Sequence, residues 1–122
     1  MKADHPVFQC GFRPFFVLVA LSAVVLMAVW LLLLAGILPA WQPPGGIIAW
    51  HAHELIFGFG MAAVAGFLLT AIPEFTQSPN IGPQALRRLV LLWLGARLAY
   101  VASAWWPPLL GLWPSALCDL LL

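Results

Sequence analysis

Three groups able to bind a metal or carry a proton stand together in this chain: His51, His53 and Glu54, in the run Trp50-His51-Ala52-His53-Glu54. Neutral imidazole is a common ligand for transition metals and haem, and its charge changes near neutral pH. Helical geometry limits what the pair can do. On a regular helix His51 and His53 point ~200° apart and cannot chelate one ion. His51 and Glu54, at positions i and i+3, share a face. Two ligand arrangements follow. Either His51 and His53 face separate partners, such as a haem and a copper, or the entry turn is extended and the HxH unit points both rings to one side. Two readings need no cofactor: the triplet caps a helix among wet headgroups, or it handles protons.

Arg97 and Asp119 are the other candidates, each embedded in apolar sequence. A charged side chain at the centre of a bilayer costs ~2.5–3.5 kcal/mol on insertion scales, so each needs a partner or a task.

The elements that must position these groups are hydrophobic helices. The chain has 122 residues, 64% hydrophobic and 7% charged, with a mean hydropathy of +1.02. Soluble domains carry about 25% charge, so this composition excludes a water-facing surface. A net charge of +1 from scattered groups excludes a nucleic-acid footprint. Cys10 and Cys118 have no CxxC or haem-attachment spacing and read as two small apolar thiols.

The fold expected is all-α: a polytopic transmembrane bundle and a single domain, 1–122. The first span runs over about 15–38, too long for the ~7–15-residue apolar stretch of a signal peptide and long enough to cross. Pro14 stands just before it. The Pro39-to-Gly46 segment is a turn. A second span covers about 48–72 and stops before Pro73. A third covers about 85–106 and ends at Pro107-Pro108. A fourth stretch, 109–122, is too short to span, so the expectation is a truncated fourth helix and a fragment of a longer protein.

Positive charge alternates along the chain. Lys2 and Arg13 precede the first span and Arg87-Arg88 open the third, while the two other connections hold no Lys or Arg. By the positive-inside rule the N-terminus is cytoplasmic. Trp41, Trp50, Trp105, Trp106 and Trp113 then fall at the outer boundary, as an aromatic belt would. His5, on the N-terminal arm, reads as solvated.

With these spans in place, Arg97 lies about 13 Å below the outer surface and Asp119 about 15 Å, at 1.5 Å per helical residue. Helices three and four are antiparallel neighbours, and an Arg97–Asp119 ion pair inside the bundle is the expectation. A functional variant has Arg97 binding a haem propionate or another anion. Gly58, Ala62, Gly66 and Thr70 recur every four residues below Glu54. Small residues at that spacing form a packing seam.

Several segments resemble the NnrS family: GFRPFF (Gly11 to Phe16), WHAHELIFGF (Trp50 to Phe59) and AGFLLTAIPEFT (Ala65 to Thr76). Gly95-Ala96-Arg97 and the acid of Leu117-Cys118-Asp119 do so too. The resemblance implies a multi-pass bacterial inner-membrane protein of about twelve helices, associated with haem and copper and with the response to nitric oxide. The family's WHxHE pattern falls on Trp50, His51, His53 and Glu54. It leaves open which histidine takes which cofactor.

Three function classes remain. The first is a haem- and copper-associated membrane protein of nitric-oxide response or metabolism, with His51, His53, Glu54 and Arg97 around the cofactors. The second is a transporter or channel subunit with a polar path along Arg97, Asp119 and Glu54. The third is a purely structural bundle. No nucleophile, base or phosphate loop marks an enzymatic reaction. The expected surroundings are lipid, further transmembrane helices of a longer protein or other subunits, and nitric oxide.

Overall fold

The computed structural model describes residues 6–38, 40–105 and 111–122. The expectations for Lys2, His5, Trp106 and Pro107-Pro108, and for the start of the fourth stretch, lie outside the described residues. A short 3-10 turn, Pro6–Gln9, precedes four helices: α1 Phe12–Leu34, α2 Gly46–Thr76, α3 Pro83–Ala102 and α4 Trp113–Leu121. The described residues hold no strand.

α1 and α2 are long and apolar enough to cross a bilayer. α3 has 20 residues, but Arg87, Arg88 and Arg97 make it less apolar than the other two. α4 has nine residues. Three full spans were expected; two helices meet the requirement among the described residues. The outward faces of α1 and α2 present Val17, Val24, Ile56 and Phe67. So large an exposed apolar surface suits hydrocarbon and not water.

The boundaries differ from expectation where local chemistry outweighs hydropathy. α1 begins at Phe12, so Pro14 lies within its first turn, where a missing N–H leaves no intrahelical bond unmade. It ends at Leu34, because Gly36 turns the chain at φ +69°. α2 begins at Gly46, where Gly45 and Gly46 take φ +79° and +85° behind Pro43-Pro44. Only glycine adopts such angles freely.

At its far end α2 was expected to stop before Pro73, and it continues through Pro73 to Thr76. Side chains fasten that last turn. Thr76 Oγ1 donates to Ile72 O at 2.7 Å, and Gln77 Nε2 donates to Glu74 O at 2.8 Å. Gln77 then ends the helix at φ +53°. In α3, Pro83 occupies the first turn behind an extended Gly82.

The core forms where α1, α2 and α3 meet, around buried Phe15, Ala62, Leu86 and Trp93. The small-residue seam serves two neighbours. A Cβ at Gly66 would lie 2.9 Å from Phe15 Cβ, so glycine lets α1 close onto α2. Gly58 faces α3 instead, with Arg97 Cδ 3.5 Å from where its Cβ would be. α4 packs along α3.

Candidate functional site: a closed ring of charges beside an open histidine

The entry of α2 changes its winding at the site. Gly46–His53 is α-helical, Glu54–Gly60 is π-helical, and the α-helix resumes at Met61. A π-turn is wider than an α-turn and frees the local backbone from its usual partners; such segments recur at functional sites. Here the Gly58 carbonyl, which already takes the Met61 N–H, gains a second donor from outside the helix. Trp93 Nε1 on α3 donates to Gly58 O at 2.9 Å in a buried setting.

Four side chains from three helices close a ring on the α3-facing side. His53 Nδ1 lies 3.1 Å from Glu54 Oε1. Glu54 Oε2 lies 3.1 Å from Arg97 Nε. Arg97 Nη2 donates to Asp119 Oδ1 at 2.6 Å. Asp119 Oδ2 lies 3.3 Å from His53 Nε2. The Glu54 and Asp119 side chains are each 5% exposed. Two buried carboxylates thus face one guanidinium, and the imidazole stands between the acids.

Packing holds the ring from every side. The guanidinium carbon of Arg97 sits 5.7 Å from the Trp93 ring centre, within cation–π range. The His53 ring lies 4.5 Å from that of Tyr100 and 4.9 Å from that of Phe57. Tyr100 in turn donates through its hydroxyl to Pro44 O at 3.2 Å, tying α3 to the turn before α2. Gly58 leaves room for the contact: a Cβ there would come within 3.1 Å of Glu54 Oε2.

His51 has different surroundings. Its ring stacks on Trp30 of α1, centroids 4.0 Å apart and planes 17° from parallel. Its Nδ1 is buried and makes no hydrogen bond. Of the residues singled out in the sequence, the structure therefore unites His53, Glu54, Arg97 and Asp119, and sets His51 apart. The HxH unit is helical and its two rings meet separate partners. Among the described residues no group of three or more His, Cys, Asp or Glu is arranged to hold a metal ion.

Sequence reading missed Trp30, Trp93 and Tyr100. Two of these left a signal: Trp93, Arg97 and Tyr100 follow the i, i+4, i+7 spacing of one helix face. Trp30 left none, since it is one apolar residue among many in α1.

The family model described as NnrS protein matches residues 6–122. No curated protein and no solved structure matches the chain. Two helices are long and apolar enough to suit a bilayer, and with a match over nearly the whole sequence the chain belongs to the NnrS family.

Proposed function

We propose that this chain is a haem-associated, multi-pass protein of the bacterial inner membrane that takes part in the response to nitric oxide, with His51 as the haem ligand. The observation that carries the assignment to His51 is its buried, unpartnered Nδ1 on a ring braced by Trp30. A histidine that held a haem iron would need a nitrogen lone pair that nothing else has claimed and a ring kept in one orientation. His53 offers neither nitrogen freely, since Glu54 and Asp119 flank both.

Haem, when bound, would supply the iron that takes up a diatomic gas. The chain's own residues supply the ligand, its orientation through Trp30, and an apolar setting. Arg97, a candidate for a haem propionate, is engaged by Glu54 and Asp119. Copper fits the described residues less well, because the two imidazoles do not converge and no third ligand joins them. The charged groups pair with one another and not with a lumen, which favours this reading over a polar transport path.

In this reading α3 also crosses the bilayer, with its ring of charges paired inside. The N-terminal arm and Arg87-Arg88 face the cytoplasm. Further transmembrane helices, from a longer protein or other subunits, complete the assembly around α1 and α2.

The test is the optical spectrum of detergent-purified protein titrated with haem, beside His51→Ala and His53→Ala. A Soret band that survives in His53→Ala and vanishes in His51→Ala is the expected result. A band lost only in His53→Ala, or absent from the wild type, overturns the assignment.

A further inference from the structure

A cavity of about 500 Å³ opens between α1, α2 and α3, next to the charged ring. That volume falls within the ~300–1,000 Å³ of small-molecule sites. Leu18, Leu21, Val25 and Val29 of α1 form one wall, and Leu94 and Val101 of α3 another. The surface they present is almost wholly carbon. Neither His51 nor Trp30 is among its lining residues.

Three of the lining side chains, Trp41, Trp50 and Arg97, carry N–H groups that nothing accepts. Trp50 is 3% exposed, and its Nε1 has no hydrogen-bond partner. Arg97 lines the same cavity, and its Nη1 is likewise buried and unmatched. A buried donor without an acceptor carries a desolvation penalty, which makes such a group a place where a ligand atom belongs. All of these groups donate, so the missing atom is an acceptor. The neighbouring ring holds two carboxylates against one guanidinium. Arg97 already faces both carboxylates, so an anionic head would find no uncommitted cation there, whereas a neutral carbonyl needs only a donor.

We propose that this cavity binds a lipophilic molecule with an apolar body and a neutral carbonyl head, its oxygen accepting from Trp50 Nε1 with Arg97 Nη1 beside it. Membrane-dissolved quinones and ester lipids share this chemistry. The site is separate from the haem position proposed at His51, so either assignment can fail without the other.

Native mass spectrometry of the detergent-purified full chain tests it, using four probes of equal chain length. These are an alkyl benzoquinone, a fatty-acid methyl ester, the free fatty acid and the alkane. One net hydrogen bond is worth about tenfold in affinity. The quinone or the ester should therefore bind about tenfold more tightly than the alkane, and whichever is the tighter identifies the source. Trp50→Phe, which keeps the ring and deletes the donor, should abolish that preference while leaving alkane binding in place. Val25→Trp, which fills the cavity, should abolish binding of all four.

Equal binding of alkane and carbonyl probes overturns the proposal, as does a preference for the free acid. Persistence of the carbonyl preference in Trp50→Phe overturns it too. So does displacement of the quinone by hemin, which would assign the cavity to the cofactor.

Discussion

His51 and His53 are two residues apart on one helix, and their surroundings are opposite. His53 stands between two buried acids, which are themselves bridged by Arg97. His51 lies against an indole with one buried ring nitrogen unmatched. The helix turns ~200° between them, enough to send one ring toward α3 and α4 and the other toward α1. In apolar surroundings a polar group must be either paired or put to use. Arg97 Nη1 apart, the ring pairs its members with each other, so its work is chiefly structural. His51 is left with bonding capacity, and this is why the ligand role falls to it.

The contrast breaks most visibly at Arg97. Arg97→Met leaves Glu54 and Asp119 with only the His53 imidazole between them. Removing one partner of a buried pair costs about 3–5 kcal/mol. SDS-titrated unfolding should show a loss of that size, and a loss under about 1 kcal/mol would mean that the ring is solvated and loosely held. Restoring balance by mutating all three charged members to apolar residues of similar volume should recover much of the loss, since such replacements are often neutral or stabilising.

Smaller effects sharpen the same picture. Gly58→Leu puts carbon where Glu54 Oε2 and the Arg97 side chain approach. Overpacking of this kind costs about 1–3 kcal/mol, and the same unfolding assay should show it. Trp93→Phe keeps an aromatic ring near Arg97 but removes the indole's hydrogen bond to the Gly58 carbonyl, at a cost of about 0.5–1.5 kcal/mol. In hydrogen exchange, the amides of Glu54–Gly60 should then lose protection before the rest of α2. A similarly small effect is expected at Trp30→Leu, where only the stack on His51 is lost, about 0.5–1.5 kcal/mol.

The helical class and the mating of Arg97 with Asp119 were legible in the sequence because both rest on simple counting. Apolar run length sets what can cross, and equal depth below a shared turn sets which charges can meet. The ring's other half was not legible. Glu54 and His53 join it through the wide π-turn and the close approach allowed by Gly58, and neither is visible in periodicity. Pro73 shows the same limit at a boundary. A proline ends most helices, but Thr76 and Gln77 fasten this one from beyond the break. The sorting of the two histidines needed coordinates, because a two-residue spacing fixes only that their directions differ.

The most direct test of the division between them is the unfolding free energy of His53→Ala and His51→Ala, measured side by side on cofactor-free protein in the same detergent. His53→Ala removes the group between two buried acids and should cost several kcal/mol, on the order of the ~3–5 kcal/mol for a broken buried pair. His51→Ala loses only the ring stack and should cost no more than about 1.5 kcal/mol. Equal losses, or a greater loss at His51, would contradict the account.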